Sequence, residues 1–311
     1  MSPFATTSRS VTVRAPAKVN LELRVGPRKD DGFHDLATVF MAVGLFDEVT
    51  VTRAATWSVT TTGRYAGLVP DTKDNLALRA AKALARRGRV ADAPVAITIA
   101  KEIPVAGGMA GGSADAAAAL VACDQLWGLR AERDVLSSVA ADLGSDVPFA
   151  LHGGIALGSG RGDRLAPVLA RGLFHWVFAL SPTGLSTPAV YAECDRLRGD
   201  APVPAPESSP AIMAALRSGD CDDLAAALAN DLQEPAFSLR PELRDVLDAG
   251  LEFGALGGIV SGSGPTIAFL TRSAEHALDL CVALTASGMA PEVKRARGPV
   301  HGAAVVTTPR D

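Results

Sequence analysis

The chain has 311 residues, 48% of them hydrophobic and 21% charged, and its formal net charge is −4. This composition predicts a globular protein with a large core, and the length favours two domains. The slightly acidic balance excludes the basic surface needed to bind nucleic acid or an anionic membrane. Any bound phosphate must therefore be held by backbone N–H groups and a few well-placed lysines or arginines.

The four cysteines predict free thiols rather than a disulfide framework or a metal site, because they lie far apart and form no CxxC pair. The N-terminus lacks the apolar segment of a secretory signal, and no apolar run reaches membrane-spanning length. We therefore expect a cytoplasmic protein with no membrane contact.

The first part of the chain predicts strands and helices in turn. Apolar residues alternate from Val11 to Val25, which is typical of a half-buried strand. Asp74 is expected to cap the first helix. The further elements predicted here are strands over 48–52, 57–62, 95–101 and 153–157, and helices over 75–86, 115–127 and 132–143.

The second part begins with a buried strand over 174–180 and contains a loop rich in Pro, Ala and Ser over 200–210. It further predicts helices over 211–216, 222–230, 241–249 and 275–287, strand residues over 259–270 around a glycine cluster, and a closing strand over 303–307. Because no regular βαβ repeat is present, the fold class is α+β rather than a doubly wound sheet. We place a domain boundary near residue 170, which gives domains 1–170 and 171–311.

Residues 104–115 read Pro-Val-Ala-Gly-Gly-Met-Ala-Gly-Gly-Ser-Ala-Asp and are the most informative segment. The glycines allow positive φ and close backbone approach to a ligand, and Ser113 is expected to cap the helix that follows. A helix N-terminus offers unpaired N–H groups, so the segment predicts a phosphate-binding loop. A plain loop before a capped helix explains Ser113 and Asp115 but leaves the glycines unexplained. Ser113 replaces the Walker A lysine, which indicates a different kind of phosphate loop.

Phosphoryl transfer also needs a cation and often a carboxylate near the acceptor hydroxyl. Lys18 and Asn20 lie two residues apart on one strand, so their side chains share a face. Pro16 and Asn20 are unusual in strands, which favours a binding edge over an exposed, idle lysine. Asp146 follows a helix end, where a turn or capping role is the alternative.

Phe33 and His34 follow a glycine turn and bring an aromatic ring next to an imidazole. Such a ring stacks on a base or sugar, and the imidazole donates or accepts at a polar edge. The alternative places Phe33 in the core and His34 in solvent. Met109 is expected to pack in the core, and His152, His175 and His301 have no metal-ligand spacing.

Three motifs in order resemble the GHMP kinase superfamily: Pro16-Ala-Lys-Val-Asn20-Leu, Pro104-x-x-Gly-Gly-x-x-Gly-Gly-Ser113 and Val260-Ser-Gly-Ser-Gly264. Within it the chain is most similar to the branch that acts on a cytidine diphosphate-linked methylerythritol. The stretches that carry this similarity are Asp31-Gly-Phe-His34-Asp-Leu, Gly144-Ser-Asp146-Val-Pro and the segment from Ser181-Pro to Tyr191. The resemblance implies a two-domain fold with a ribosomal S5 domain 2-like, ATP-binding N-terminal domain. The C-terminal, substrate-side domain would be ferredoxin-like, and the active site would lie in the cleft between the two.

The resemblance also implies a reaction: ATP-dependent phosphorylation of the 2-hydroxyl of the methylerythritol unit, a step of the non-mevalonate isoprenoid pathway. Asp146 corresponds to the catalytic base, and Lys18 to the lysine that holds it and the acceptor hydroxyl. The substrate-binding residues would be Asn20, Phe33, His34, Thr187 and Tyr191, with the two aromatic rings on either side of the cytosine and His34 at its edge. ATP would contact Asn75, Lys101, Pro104, Val105, Ala106, Gly107, Gly108, Met109, Ala110, Gly111, Gly112, Ser113, Ala114 and Asp115. Both substrates are small molecules, and we expect a monomer or weak homodimer.

The chain departs from the family pattern at Ala106 and Ala110, where glycine is common, so those alanines should have negative φ. Asp115 stands where asparagine is frequent, and we expect capping to be its main role. No carboxylate ligand for Mg²⁺ is evident, so the ion should be held by ATP oxygens, Ser113 and water.

Three other functions remain to be weighed against this one. Homoserine or mevalonate as acceptor would leave Phe33, His34 and Tyr191 without a base to stack on. A catalytically silent nucleotide- or sugar-binding regulator is expected to lack the pair Lys18 and Asp146. A dinucleotide oxidoreductase needs a G-x-G-x-x-G spacing, which residues 104–115 do not contain.

Overall fold

The computed structural model describes residues 9–69 and 74–306, which form a mixture of strands and helices. The strands are β1 Ser10–Arg28, β2 His34–Arg53, β3 Ser58–Thr62, β4 Val95–Ala100, β5 Ile155–Gly160, β6 Arg164–Pro167, β7 Phe174–Leu180, β8 Ala229–Asn230, β9 Gly257–Val260, β10 Ile267–Thr271, β11 Glu292–Gly298 and β12 Ala304–Val305. The helices are α1 Leu76–Arg87, α2 Gly111–Trp127, α3 Arg133–Leu143, α4 Val147–His152, α5 Thr187–Arg198, α6 Pro210–Ser218, α7 Cys221–Ala227, α8 Gln233–Leu239, α9 Glu242–Glu252 and α10 Ala274–Ala286.

The larger sheet is built on the long antiparallel pair β1 and β2 and runs in the order β12-β1-β2-β4-β3. Strand β5 pairs with β2 and with β6, while β8 lies parallel to β1. Helix α2 packs across β1 and β2, and most of its buried residues are alanines. These short side chains let the helix backbone lie close to the sheet.

The smaller sheet has the order β11-β7-β10-β9 and is antiparallel throughout. Its central strands β7 and β10 are buried along nearly their whole length and read as continuous apolar runs. Strands β8 and β12 lie late in the chain but join the larger sheet. The boundary near residue 170 falls between β6 and β7 and stays a prediction.

Most predicted elements occur at or near their predicted positions, but six were missed, among them α4, α8, β6 and β8. Strand β2 begins at His34 rather than at residue 48, and β1 and β2 pair with register shifts at 16–17 and 20–22. Helix α5 was not predicted; Pro188 lies in its first turn, where the N–H that proline lacks would be unpaired. Strand β11 was also missed. The helix predicted over 222–230 was too long, since α7 ends at Ala227 and β8 follows.

Within the described residues, no helix is long and apolar enough to cross a membrane. All four cysteines are free there, and two of them, Cys123 and Cys194, are buried. The same residues contain no group of three or more His, Cys, Asp or Glu side chains arranged to hold a metal ion. The predicted strand over 303–307 is observed as β12, and residue 307 lies outside the described part of the chain.

Candidate active site

A cleft of about 1120 Å³ is lined by the glycine loop, β1, β2 and the starts of α4 and α5. Of the site residues predicted from the sequence, Met109, Ser113 and Ala114 do not line it. Met109 is instead buried in the core, as expected. The predicted residues that line the cleft are Lys18, Asn20, Phe33, His34, Asn75, Lys101, Pro104, Val105, Ala106, Gly107, Gly108, Ala110, Gly111, Gly112, Asp115, Asp146, Thr187 and Tyr191. The fold therefore brings most of the predicted site into one cavity.

The three sequence motifs meet at one end of this cleft, which we call the loop end (residues 104–112 with Gly262). The backbone N–H of Lys18 donates to the carbonyl of Met109 at 3.2 Å, and the Ser261 hydroxyl donates to the carbonyl of Gly108 at 3.1 Å. A Cβ on Gly108 would lie 2.0 Å from the Ser261 carbonyl oxygen, and its φ is +72°. Only glycine fits there, because the loop approaches the third motif backbone to backbone.

Gly262 explains why the third motif also needs small residues. Its φ is +59°, and a Cβ there would lie 3.0 Å from Lys18 Nζ and 3.2 Å from Asn20 Oδ1. Asn230 holds this segment by donating its side-chain amide to the carbonyls of Val260 and Gly262, at 2.8 and 2.7 Å. The glycine segment thus lies directly against the Lys18–Asn20 pair.

The backbone of the loop corrects two predictions. Ala106 and Ala110 have φ of +53° and +59°, so the expectation of negative φ at both alanines was wrong. A left-handed conformation costs a residue with a Cβ about 1–2 kcal/mol, and the surrounding contacts must offset that cost. Helix α2 begins at Gly111, with Ala110 at the cap position. Ser113 is therefore not the cap and lies, half-buried, in the first turn.

Lys18, Asn20 and Asp146 form the polar centre of the cleft. The Lys18 ammonium is buried and donates to Asn20 Oδ1 at 2.5 Å, while the Asn20 amide donates to the Thr38 hydroxyl at 2.8 Å. Burial lowers the pKa of Lys18, and the negative charge of Asp146 opposes that effect. Asp146 stands at the start of α4, makes no side-chain capping bond there and lines the cleft. Lys18 and Asp146 do not touch as a direct ion pair.

Lys101 is held between two carboxylates at the base of the loop end. Its ammonium donates to Asp47 at 2.5 Å and to Asp115 at 2.6 Å, and all three groups are buried. Burial, with the nearby charge of Asp47, raises the pKa of Asp115 to about 8. Its Oδ1 is buried and has no hydrogen-bond partner among the described residues. Capping is thus not the role of Asp115, contrary to the sequence-based expectation.

The first helix is capped by Asn75, which accepts from the N–H groups of Ala77 and Leu78 at 3.0 and 3.4 Å. Asp74 was therefore the wrong cap. Asn75 also lines the cleft, so one side chain fixes the start of α1 and borders the cavity.

The opposite end of the cleft, which we call the aromatic end, is formed by Phe33, His34, Arg161, Tyr191 and Asp195. The rings of His34 and Tyr191 stack with centroids 5.2 Å apart, and His34 Nε2 lies 2.9 Å from Asp195 Oδ1. The alternative considered from the sequence placed Phe33 in the core and His34 in solvent. The structure shows the reverse, since His34 is buried and Phe33 is 51% exposed. An exposed ring beside a buried imidazole leaves an aromatic face free for a planar ligand.

Sequence reasoning missed Arg161, Asp195 and Asn230. The Arg161 guanidinium lies 3.7 Å from the centre of the Phe33 ring and 3.1 Å from Asp31, which joins two turns that are far apart in sequence. None of the three belongs to a motif. One signal was present for Asp195, which follows Tyr191 by four residues and so lies on the same face of a helix.

Family models match two parts of the chain: GHMP kinases N terminal domain over residues 75–154, and GHMP kinases C terminal over residues 212–288. A 4-diphosphocytidyl-2-C-methyl-D-erythritol kinase of Mycolicibacterium smegmatis is 58% identical over 97% of this chain and 94% of its own length. Relatives with the same name in Streptomyces avermitilis and Mycobacterium tuberculosis are 57% and 54% identical, over 96% and 97% of this chain and 100% and 95% of theirs. The chain belongs to the GHMP kinase family.

Solved structures agree with this assignment. A crystal structure of 4-(cytidine 5'-diphospho)-2C-methyl-D-erythritol kinase matches with a TM-score of 0.73 and 32% identity, over 92% of this chain and 98% of that one. A homoserine kinase from Cytophaga hutchinsonii has a TM-score of 0.74 at 20% identity, over 98% and 100% of the two chains, and shows the shared fold. The two-domain α+β fold expected from the resemblance is confirmed.

Proposed function

We propose that this chain transfers the γ-phosphoryl group of ATP to the 2-hydroxyl of 4-diphosphocytidyl-2-C-methyl-D-erythritol, in the non-mevalonate isoprenoid pathway. The observation that carries the proposal is the aromatic end of the cleft, where the exposed Phe33 ring and the stacked rings of His34 and Tyr191 would receive a planar base. Homoserine and mevalonate have no base to fill it. The names of relatives at 54–58% identity support the same acceptor.

In this proposal the loop end holds ATP. Residues 104–112 and the N-terminus of α2 would bind the phosphates through backbone N–H groups. The unpartnered Oδ1 of Asp115 and the side chain of Asn75 would lie toward the adenosine. Lys101 would act on the nucleotide site through Asp115, since its ammonium is already engaged by two carboxylates. This role makes Lys101 a positioning residue.

Asp146 would accept the proton of the 2-hydroxyl, and Lys18 and Asn20 would orient that hydroxyl and neutralise charge near the transferred group. Thr187 would contact the acceptor from the start of α5, where its hydroxyl lies 2.8 Å from the Ser263 hydroxyl. Mg²⁺ would be held by ATP oxygens and water, because the described residues contain no group of His, Cys, Asp or Glu side chains that could hold it and the expected ligand Ser113 does not line the cleft. The ion would supply charge neutralisation at the phosphates.

The test is the product formed from ATP, Mg²⁺ and the cytidylyl acceptor. Phosphorus NMR is expected to show one new phosphomonoester for each ADP released, with the diphosphate linkage unchanged. ADP release without a new phosphomonoester, or no ADP release, would contradict the proposal. The cytoplasmic location and the monomeric or weakly dimeric state stay predictions.

A further inference from the structure

We propose that Asp195 makes the aromatic end selective for cytosine over uracil, by fixing which ring nitrogen of His34 carries the proton. This inference rests on the proposed function, which places a pyrimidine at that end. Asp195 lies on α5, one helical turn after Tyr191, and its Oδ1 is 2.9 Å from His34 Nε2. Two side chains of α5 therefore contact the His34 imidazole. Tyr191 stacks on the face of the imidazole ring, and Asp195 contacts its edge.

The contact determines the tautomer of His34. An ionised carboxylate has only acceptor atoms, so the hydrogen in this contact must be on Nε2. A neutral imidazole has a single N–H, which leaves Nδ1 with a free lone pair. No residue within 9–69 or 74–306 forms a hydrogen bond with Nδ1. A neutral His34, which lines the cleft, thus keeps an acceptor free at Nδ1.

An acceptor at this position distinguishes the two pyrimidines. Cytosine carries an amino group at position 4, which donates, whereas uracil carries a carbonyl there, which accepts. Nδ1 pairs with the first and repels the second. Stacking on Phe33 or Tyr191 cannot make this distinction, because both bases present a π-face of similar size. The selection therefore depends on the imidazole and on the carboxylate behind it.

No other contact within the described part of the chain gives the Asp195 side chain a structural role. Its side chain is 29% exposed, and among the described residues its only hydrogen bond is the one to His34. The nearby Arg198 pairs with Asp231 at 3.2 Å, and Arg196 pairs with Glu193 at 2.6 Å. Removing the Asp195 carboxylate leaves both of those pairs intact.

The experiment compares kcat/KM for the cytidine and uridine diphosphate-linked forms of the same methylerythritol acceptor. Asp195→Ala is expected to reduce the preference for cytidine about tenfold, the effect of losing one hydrogen-bond preference. Asp195→Glu keeps a carboxylate and is expected to retain most of the preference. Asp222→Asn is the matched control, because Asp222 is exposed and paired with Arg272 away from the cleft. An equal loss for both acceptors in Asp195→Ala would overturn the inference.

A spectroscopic readout tests the proton position without turnover. The chain has five histidines, so long-range proton–nitrogen spectra can be assigned to His34 by comparison with His34→Gln. Wild type is expected to show a protonated Nε2 and a bare Nδ1, and Asp195→Ala a mixture of tautomers. A protonated Nδ1 in wild type would contradict the inference. If wild type phosphorylates neither acceptor, the proposed function fails, and titration of the same variants with CMP and UMP then decides the inference alone.

Discussion

The two ends of the cleft differ in whether backbone atoms or side chains make their contacts. At the loop end the contacts are made by backbone, as where Gly108 meets Ser261 and Lys18 meets Met109. At the aromatic end they are made by side chains, with Phe33 half exposed and His34 held by Tyr191 and Asp195. A backbone site allows few substitutions but binds any polyphosphate, whereas a side-chain site can change its ligand by single substitutions. We expect mutations at the loop end to affect folding and those at the aromatic end to affect the choice of acceptor.

The largest effect is expected between the two ends, at Asp146. Asp146→Asn removes the proton acceptor but keeps the size and polarity of the side chain, so kcat should fall about 100- to 10,000-fold. ATP affinity, measured by calorimetry, should remain nearly unchanged. Near-normal turnover would rule out Asp146 as the base.

Gly108→Ala tests the backbone character of the loop end. The new Cβ would lie 2.0 Å from the Ser261 carbonyl at a φ of +72°, so the free energy of unfolding should fall by about 2 kcal/mol or more. Gly112→Ala is the matched control from the same loop, since a Cβ there meets nothing within 4 Å. Urea denaturation measures both variants. Equal stability in the two would contradict the close backbone contact.

Arg161→Met tests the side-chain character of the aromatic end. It removes the guanidinium that lies 3.7 Å from the Phe33 ring and its ion pair with Asp31. The KM for the cytidylyl acceptor should rise about two- to fivefold, the strength of an exposed cation–π contact, while kcat and the KM for ATP stay constant. Arg164→Met, an exposed arginine nearby, should change neither KM. A rise in the KM for ATP would show that the two ends are not separable.

The last effect concerns the pH dependence of stability and involves Asp115. Its pKa is raised to about 8 in the folded chain, against about 4 for an ordinary aspartate, so the folded state holds a proton that the unfolded state has lost. Between those two values the contribution of Asp115 to stability therefore decreases as the pH rises. Asp115→Asn should show a flatter profile of unfolding free energy over pH 4–8, without ATP. Identical slopes would mean that Asp115 is ionised throughout.

The sequence analysis brought residues of both ends into one predicted site, but it predicted their local geometry only partly. The glycine motifs indicated a backbone site at residues 104–112, whereas the contact of that loop with the third motif was not predicted. The positive φ of Ala106 and Ala110 was mispredicted, because local propensity gave way to the close approach of neighbouring segments. Arg161 and Asp195 were missed because a side-chain contact between distant segments leaves no local pattern. Asp195 lies on α5 and its partner His34 begins β2; periodicity missed the first of these elements and shortened the second.

The most direct test of the account is ADP release measured against a panel of acceptors: the cytidylyl methylerythritol, homoserine, mevalonate and phosphomevalonate. A loop end that binds ATP and an aromatic end that selects the acceptor predict rapid turnover of the first compound and little of the other three. The variant Phe33→Ala should raise the KM for the first compound without improving the others. Comparable rates with all four acceptors would contradict the claim that the aromatic end chooses the substrate, while leaving the kinase assignment in place.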